Sequence, residues 1–433
     1  MIKRLYDFFQ KSQVVTTDSR QCPSGSLFFA LRGENFDGNR YAASALEKGC
    51  SLAVVDDVEL SGKPGMFYVE DVLVALQQLA NHHRRVLGLP IIGITGSNGK
   101  TTTKELVASV LSMKYKVYYT QGNLNNHIGV PLTLLSMNKH TQIGVVEMGA
   151  NHPGEIAELC RIAEPDFGVI TNVGKAHIEG FGSFEGVRQT KGELYDFIRA
   201  TNGTLFVNAD DDMLMKMSDH LTRVTYGVND NAAEVQGRNM DVNPFLLFQF
   251  RSGVNANWHD VQSKMVGKYN ISNFLVAAAI GQFFQVDDIE VAWALSSYVP
   301  ENNRSQLING VHNRVLMDAY NANPSSMQVA LENFKDIRHP FKVAIIGAMK
   351  ELGHISDEEH KKVVRYLLGG AFHLVCLVGE EFETVEIESN MAHRFAKVDD
   401  LVAWLKDHPL KDAFVLVKGS RGNKLEQALP YLQ

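Results

Sequence analysis

The stretch from Ile91 to Glu105, IIGITGSNGKTTTKE, constrains this chain more than any other part of its sequence. An apolar run enters a glycine-rich turn, and a segment compatible with a helix begins directly after it. Strand, glycine-rich loop and helix in this order are the context that a phosphate-binding loop requires. Glycines let successive backbone N–H groups point into one concavity, and the helix start adds positive potential. The stretch therefore predicts a site for ATP or GTP.

Within this loop, Lys100 is placed to reach the β- and γ-phosphates, and the Thr101 hydroxyl to hold Mg²⁺. The strict pattern has glycine where this chain has Ile94, and Gly96 supplies the turn instead. An ordinary glycine-rich turn is the alternative, which the strand–helix context disfavours. The residues predicted to contact the nucleotide here are Thr95, Gly96, Ser97, Asn98, Gly99, Lys100, Thr101 and Thr102.

Composition and charge limit the class of protein. A length of 433 residues implies two to four domains, and 45% hydrophobic with 21% charged residues is typical of a globular protein. A net charge of -7 gives no reason to expect a nucleic-acid partner. The four cysteines lack CxxC spacing, which favours reduced thiols over a disulfide framework or a zinc site. We find no signal peptide and no apolar run of membrane-spanning length, so we expect a cytoplasmic protein that does not insert into a membrane.

The pattern of apolar runs divides the chain into three segments. Residues 1–87 alternate short apolar runs with helical stretches, and residues 88–304 alternate strand candidates with helices. Such alternation is typical of a mostly parallel sheet with helices on both faces, while a more polar interval at 222–265 has a β-like pattern. A third series covers residues 305–433. We predict an α/β protein with a small N-terminal α/β domain, a central P-loop ATPase-like domain and a C-terminal Rossmann-like domain.

Two candidate ligands follow strands that neighbour the phosphate loop in this pattern. Glu147 ends the apolar run IGVVE, and His177 follows the run FGVIT. The carboxyl ends of parallel strands face the ligand crevice, so both side chains are expected near the γ-phosphate. A lone histidine is more often structural, but the pairing with Glu147 favours a ligand role. The spacing around Lys191 alone favours a solvated helix lysine.

Polar residues follow further strand candidates. GNLNNHIGVP is rich in amides that bind a polar substrate or cap the next helix, namely Asn123, Asn125, Asn126 and His127. In the third segment, MDAYNANPSSM places Asp318 at a strand end, where an acid takes a ribose hydroxyl or forms an Asx turn. The stretch VKGSRGNK is an anion site or a solvated basic turn. The candidates in these two stretches also include Asn321, Asn323, Lys418, Ser420 and Arg421.

Taken together, these motifs resemble the Mur ligase family, the ATP-dependent amide-forming enzymes of bacterial peptidoglycan synthesis. TGSNGKTT is similar to the nucleotide loop of the family, VEMGANHPGEI to its acidic strand end, NVGKAHIEGFGS to its metal histidine and QTKGEL to its modified lysine. GKYNISNFLVAAAI resembles its nucleotide-contacting helix, and DAYNANPSSM and VKGSR fit its C-terminal domain. The resemblance covers essentially the whole chain.

The resemblance implies ATP and two Mg²⁺ ions as cofactors. Lys100, Glu147, His177 and Lys191 would be the catalytic residues, and Thr101, Glu147, His177 and Lys191 the metal ligands. For Lys191 this implies carbamylation, which turns a cation into an anion and replaces the interpretation from spacing. Further nucleotide contacts would come from Asn273, Arg304 and Asp318. The substrate-binding residues would be Asn126, Asn321, Asn323, Lys418, Ser420 and Arg421, with Ser19, Arg20, Gly33, Asp37 and Gly38 in a uridine-nucleotide pocket.

Within the family, residues 17–50 and the stretch YNANPSSM point to the member that joins D-alanyl-D-alanine to UDP-N-acetylmuramoyl-tripeptide. The sequence departs from the family pattern at two positions, where individual ligand contacts would change: Tyr269 and Asn39 stand where the family often has histidine. The alternatives are a sister ligase that adds a diamino acid to the muramoyl dipeptide, a P-loop switch or motor ATPase, and a non-catalytic nucleotide-binding module. We expect a monomer with an open apo form, hinged near residues 87–90 and 303–306.

Overall fold

The computed structural model describes residues 1–301, 303–370, 372–387 and 389–433. Three separate sheets carry helices on their faces, as predicted for an α/β protein. All four cysteines are free thiols, as the spacing indicated. Among the described residues, none of the helices combines the length and apolar character needed to cross a bilayer.

The N-terminal sheet has the strand order β1-β2-β5-β6, and its strands are parallel. Its strands are β1 (Val15–Thr16), β2 (Leu27–Phe29), β5 (Leu52–Val55) and β6 (Met66–Tyr68), with the separate hairpin β3 (Arg32–Gly33) and β4 (Phe36–Asp37). The helices are α1 (Ile2–Ser12), α2 (Ala42–Glu47) and α3 (Val72–Leu87). Helix α3 begins after Asp71, whose side chain accepts a hydrogen bond from the N–H of Val74, and it ends at Gly88.

The central sheet is parallel around the phosphate loop and antiparallel at one edge. Its strands are β7 (Ile91–Thr95), β8 (Val117–Tyr119), β9 (Ile143–Glu147), β10 (Phe167–Ile170), β11 (Thr204–Asn208), β12 (Arg223–Gly227), β13 (Val235–Val242), β14 (Phe245–Ser252) and β15 (His259–Val266). The order is β15-β14-β13-β12-β11-β10-β7-β9-β8, with antiparallel pairing confined to β13-β14-β15. The mostly parallel sheet is confirmed, and the β-like interval at 222–265 forms its extension.

Helices cover both faces of this central sheet. They are α4 (Lys100–Leu111), α5 (Gly129–Leu135), α6 (Glu155–Ala163), α7 (Ile178–Phe181), α8 (Phe184–Thr201), α9 (Asp212–Met217), α10 (Ile271–Phe283) and α11 (Asp288–Ser297). Helix α10 is apolar on all sides because it packs between α4 and the strands β11 to β14. Helices α5 and α6 pack against α3, so the first and second segments share one hydrophobic core.

The C-terminal sheet has the order β16-β17-β21-β18-β19-β20, in which only β16 runs antiparallel among the described strands. The strands are β16 (Gln306–Asn309), β17 (Arg314–Asp318), β18 (Lys342–Gly347), β19 (Leu374–Val378), β20 (Ala392–Phe395) and β21 (Phe414–Lys418). The helices are α12 (Pro324–Asp336), α13 (Ser356–Leu368) and α14 (Val398–Asp407). Short 3-10 helices lie at Gly38–Tyr41, Val58–Leu60, Lys268–Asn270, Gly353–Ile355, Glu380–Phe382, Arg421–Asn423 and Leu425–Tyr431.

Candidate active site

A cleft of about 730 Å³ lies where the carboxyl ends of the central strands meet loops of the C-terminal sheet. Strand β7 lies between β9 and β10, so its loop is flanked by the residues that follow both neighbours. The predicted residues that line the cleft are Ser97, Asn98, Gly99, Lys100, Thr101, Thr102, Asn123, Asn125, Asn126, His127, Glu147, His177, Asn273, Arg304, Asp318, Asn321, Asn323 and Lys418. One cavity thus brings together candidates from positions about 320 residues apart in the chain.

The remaining predicted residues are all described by the structure but do not border this cleft. They are Thr95, Gly96, Lys191, Ser420 and Arg421, together with Ser19, Arg20, Gly33, Asp37 and Gly38 of the N-terminal segment. Thr95 is buried, and its hydroxyl donates a hydrogen bond to the carbonyl of Met148. Ser420 donates to the carbonyl of Ala322 and accepts from the N–H of Lys350, which ties loops of the C-terminal sheet together.

The phosphate loop needs glycine at two positions for steric reasons. Gly96 has φ 139°, and a Cβ there would lie 2.0 Å from Thr171 Oγ1. Gly99 has φ 81°, and its Cβ would lie 2.8 Å from Asn273 Oδ1. Ile94 is a buried residue of β7, so the strand continues past the position where the strict motif has glycine. The turn therefore starts at Gly96, which explains the departure from the motif.

Lys100 lies folded over the phosphate loop. Its Nζ donates to the carbonyls of Gly96 at 2.6 Å and Ser97 at 3.3 Å. Burial lowers the pKa of Lys100, and the Glu147 carboxylate opposes that shift. The loop is also fixed to β10 because the N–H of Asn98 donates to Asn172 Oδ1 at 3.1 Å. Sequence reasoning missed Asn172, although it directly follows a strand end in the same way as the other candidates.

Glu147 has one satisfied and one unsatisfied carboxylate oxygen. Its side chain is buried, and Oε1 accepts a hydrogen bond of 2.8 Å from Asn125 Nδ2. Oε2 lies 3.8 Å from Lys104 Nζ and, within the described part of the chain, has no hydrogen-bond partner. A buried carboxylate oxygen without a partner is costly unless a cation or a donor completes it. Sequence reasoning missed Lys104, which lies on α4 one turn after Lys100.

His177 precedes α7 and faces the C-terminal sheet. Its backbone has φ 51°, and its Nδ1 contacts Oε2 of Glu351, which lies in the loop after β18. Burial lowers the pKa of His177; Glu351 opposes this shift, whereas the positive charges of Lys100 and Lys191 add to it. A lowered pKa keeps the imidazole neutral at neutral pH, which is the form that binds metal ions. Sequence reasoning missed Glu351, whose position after a strand of the third segment was its one signal.

Lys191 is not the solvated lysine that its spacing alone indicated. It lies on α8 with 2% of its surface exposed, and its Nζ lies 5.2 Å from the centre of the Phe181 ring. Burial lowers the pKa of Lys191 to about 7, with a further contribution from Lys100. A large fraction of this amine is therefore neutral, and hence nucleophilic, at neutral pH. Spacing was misleading because it does not show which face of α8 packs against α7.

The residues on the nucleotide side of the cleft form contacts between distant parts of the chain. Asn273 on α10 accepts a hydrogen bond of 3.2 Å from Thr103 Oγ1 on α4, and its Nδ2 donates to Asn270 Oδ1. The Arg304 guanidinium carbon lies 3.7 Å from the centre of the Tyr320 ring. Tyr269, which stands where the family often has histidine, forms a hydrogen bond through its hydroxyl, which lies 2.8 Å from Ser305 Oγ.

Asp318 and Lys418 form a buried ion pair on adjacent strands of the C-terminal sheet. Lys418 Nζ donates to Asp318 Oδ2 at 2.7 Å, and the two residues are in register on β21 and β17. The guanidinium carbon of Arg421 lies 5.6 Å from the centre of the Tyr320 ring. The charges of Lys418 and Asp318 offset each other, whereas Arg304 and Arg421 add positive charge near the Tyr320 ring.

Asn126 and Asn323 each line the cleft and also accept hydrogen bonds from the first N–H groups of a helix. Asn126 Oδ1 accepts from the N–H groups of Ile128 and Gly129 before α5, and the residue also lines the cleft. Asn323 caps α12 through the N–H of Ser326, while its Nδ2 donates to Asn98 Oδ1 at 2.8 Å. The second contact brings the C-terminal sheet directly onto the phosphate loop.

The candidates in the N-terminal segment lie in two places, Gly33, Asp37 and Gly38 at the β3–β4 hairpin and Ser19 and Arg20 in the loop between β1 and β2. Arg20 pairs with Asp18 at 2.9 Å, and Asp37 accepts from the N–H and side chain of Asn39. Gly38 has no room for a side chain, since a Cβ would lie 2.6 Å from the carbonyl of Leu31. The first segment therefore presents its polar loop outside the main cleft.

The chemistry of the cleft is that of an anion site with room for a cation. The phosphate loop supplies N–H donors and Lys100, whereas Glu147 supplies a carboxylate and His177 a neutral imidazole. Among the described residues, no three His, Cys, Asp or Glu side chains gather closely enough to hold a metal ion by themselves. A divalent cation here needs oxygen atoms from other sources, such as the Thr101 hydroxyl, phosphate groups or a modified lysine.

Profiles of three protein domains match this chain in sequence order. The Mur ligase family catalytic domain matches residues 11–84, and the Mur ligase middle domain matches residues 94–281. The Mur ligase glutamate ligase domain matches residues 303–421. These matches cover all three sheets of the structure.

Proteins similar to this chain include UDP-N-acetylmuramoyl-tripeptide–D-alanyl-D-alanine ligases. The Bacillus subtilis protein is 34% identical over 430 residues, covering 95% of this chain and 91% of that protein. The Escherichia coli protein is also 34% identical over 430 residues, covering 97% and 93%. Among solved structures, MurF from Acinetobacter baumannii superimposes with a TM-score of 0.88 at 28% identity, covering 98% and 97%. MurF from Thermotoga maritima in complex with ADP gives 0.86 at 27% identity, covering 97% of each chain.

Proposed function

Because the chain belongs to the Mur ligase family, we propose that it is an ATP-dependent ligase that joins D-alanyl-D-alanine to UDP-N-acetylmuramoyl-tripeptide. It works in the cytoplasm on a peptidoglycan precursor and releases ADP and phosphate. The observation that carries the proposal is the single cleft bordered by the phosphate loop, Glu147 and His177 on one side and Asp318 and Asn323 on the other. A P-loop switch or motor has no need of the third sheet in its site.

The ligase reaction requires activation of a carboxylate, which is a poor electrophile toward an amine in water. We assign to Lys100 and the N–H groups of the phosphate loop the stabilisation of charge on the γ-phosphoryl group while a substrate carboxylate attacks it. The P–O bond to ADP breaks as the new P–O bond forms, giving an acyl phosphate. The amine of D-alanyl-D-alanine then attacks the acyl carbon, and phosphate leaves.

Water would destroy an acyl phosphate, so the cleft must exclude it during the reaction. The contact between Asn98 and Asn323 supports this role because it joins the phosphate loop to the residue that caps α12 of the C-terminal segment. The domains that would close are residues 1–87 for the uridine nucleotide, 88–304 for ATP and 305–433 for nucleotide and dipeptide. The hairpin with Gly33, Asp37 and Gly38 would bind the uridine end.

Mg²⁺ fits the residues present. The test is Glu147 Oε2, a buried carboxylate oxygen that has no hydrogen-bond partner among the described residues and belongs to a residue that lines the cleft. We assign Thr101, Glu147 and His177 as ligands, with a carbamylated Lys191 for a second ion. When bound, Mg²⁺ neutralises phosphate charge.

Carbamylation of Lys191 is supported by its burial and its lowered pKa. The neutral amine attacks carbon dioxide, an N–C bond forms, and one proton is released, which converts the side chain into a carboxylate. A carbamate would add oxygen donors, and among the described residues no three His, Cys, Asp or Glu side chains gather closely enough to hold a metal ion without such an addition.

An assay of phosphate release tests the function. Release should require ATP, UDP-N-acetylmuramoyl-tripeptide and D-alanyl-D-alanine together, and the Lys100→Ala variant should lose it. Release without the dipeptide would contradict the ligase assignment and favour a P-loop ATPase. Release that requires the muramoyl dipeptide and a diamino acid instead would indicate the sister ligase.

A further inference from the structure

We propose that Glu351 is a positioning residue, which orients His177 for cation binding from the opposite domain and so couples metal affinity to domain closure. The inference rests on the proposed function, because it concerns the same cation site. The main observation behind the proposal is the contact between His177 Nδ1 and Glu351 Oε2, two residues that are 174 positions apart in the sequence.

The loop that carries Glu351 is held firmly by the C-terminal sheet. The N–H of Met349 donates to His360 Nε2 at 3.0 Å, and the N–H of Lys350 donates to Ser420 Oγ at 3.1 Å. On the other side, Leu352 is buried in the core of that domain. Glu351 has φ 62°, an uncommon backbone conformation for a residue other than glycine. The strained backbone of Glu351 directs its side-chain carboxylate toward the central sheet.

His177 meets this carboxylate from a backbone that is also in the left-handed region. The N–H of Glu179 lies 3.5 Å from the carbonyl of Glu351, so the backbones of the two loops touch as well. The side chain of His177 is 23% exposed, whereas that of Glu351 is 57% exposed. The histidine is therefore confined by its surroundings, and the glutamate reaches it from the rim.

The chemical consequence lies in the two ring nitrogens. A carboxylate at Nδ1 favours the tautomer with the proton on Nδ1, which leaves the Nε2 lone pair available to a cation. Partners of this kind orient metal-binding histidines, and their removal typically lowers metal affinity or activity by about 10- to 100-fold. In this chain the partner belongs to a different sheet from the histidine. The imidazole is therefore oriented only while the C-terminal domain is docked.

An ion pair at the same interface provides a matched control. Lys175 Nζ lies 3.5 Å from Glu359 Oε1, so a carboxylate of the C-terminal domain again reaches the segment around α7. This pair does not contact His177. Glu359→Gln therefore weakens docking in a comparable way without altering the partner of the imidazole.

The test compares Glu351→Ala, Glu351→Gln and Glu359→Gln in the full chain. We expect Glu351→Ala to raise the half-saturating Mg²⁺ concentration for phosphate release by about 10- to 100-fold. Glu351→Gln, which retains an acceptor oxygen, should have a smaller effect, and Glu359→Gln should stay within twofold. An unchanged Mg²⁺ dependence in Glu351→Ala, or an equal shift in Glu359→Gln, would overturn the proposal.

A measurement without turnover separates this proposal from the function itself. In ¹⁵N-histidine-labelled protein held in the docked form by an ATP analogue, the long-range couplings of His177 should show the Nδ1–H tautomer, and Glu351→Ala should convert it to a mixture dominated by Nε2–H. His177→Asn assigns the signal. A tautomer that does not change in Glu351→Ala would refute the positioning role even if ligase activity is found. Conversely, the expected change would stand even if the substrates prove to be different.

Discussion

Replacing Lys104 by methionine should expose how strongly the buried charges beside the phosphate loop depend on each other. Lys104 and Glu147 are each 1% exposed, and Lys104 Nζ lies 3.8 Å from Glu147 Oε2. At this separation two unit charges attract by about 4 kcal/mol with an effective dielectric constant of about 20. Burial lowers the pKa of Lys104, and the carboxylates of Glu147 and Glu105 oppose that shift.

Lys104→Met removes the ion pair to Glu147, whose carboxylate keeps its hydrogen bond from Asn125. Breaking a buried pair by removing one partner typically costs about 3–5 kcal/mol, because the other charge stays buried and uncompensated. We therefore expect a loss of about 3–5 kcal/mol in the free energy of unfolding of the central domain. Glu147→Gln in the same chain should recover about 2–3 kcal/mol of that loss, since the amide carries no charge.

The assay is urea unfolding of wild type, both single variants and the double variant, followed by central-domain signals because a chain of three domains need not unfold in one step. Lys114→Met is the matched control: Lys104 lies 5.6 Å from the Tyr119 ring and Lys114 lies 5.5 Å from the Tyr115 ring, but Lys114 is exposed. Its unfolding free energy should change by about 0.5 kcal/mol or less. Additive effects of Lys104→Met and Glu147→Gln, within about 0.5 kcal/mol, would refute the reasoning.

Three further predictions concern the loop, the lysine and the domains. Gly96→Ala should abolish ADP binding in calorimetry because its Cβ would lie 2.0 Å from Thr171 Oγ1, whereas Gly62→Ala, with open space around it, should bind normally. Lys191→Ala should lose ligase activity and regain part of it with short carboxylates; unchanged activity would contradict the assignment. In the wild type, ¹³C-bicarbonate NMR should show the carbamate signal fall as pH drops through about 7, since protonation removes the neutral amine. Small-angle scattering should show a more compact particle with ATP analogue and muramoyl substrate, and identical profiles would argue against hinged closure.

Much of the site could be predicted because its signals are local. The phosphate loop is defined by neighbouring residues, and Gly96 and Gly99 are needed by the backbone of a single turn. Glu147 and His177 were predictable because the ends of adjacent parallel strands meet at one edge of the sheet. Their strands, β9 and β10, lie on either side of β7 as this reasoning requires.

Other features depend on how distant elements pack. Lys191 has the spacing of a solvated helix residue, yet it is buried because α7 covers that face of α8. Lys104 gives no sequence signal beyond its charge, and only the packing of α4 against β9 places it beside Glu147. Asp318 and Lys418 were both predicted as ligand contacts, and the register of β17 and β21 makes them partners of each other.

The sequence by itself determined the α/β class, the nucleotide loop and the family, because these depend on periodicity and on residues adjacent in the chain. The tertiary structure alone decided which charges meet. Glu351 reaches His177 across two domains, and Asn323 reaches Asn98 in the same way. Such contacts form only after two domain cores have folded and docked. The residues next to Glu351 or Asn323 in the sequence therefore do not indicate which distant side chain each of them will contact. The orientation of His177 follows from that docking, and the lowered pKa of Lys191 follows from the packing of α7 on α8, not from the motifs in which the two residues lie.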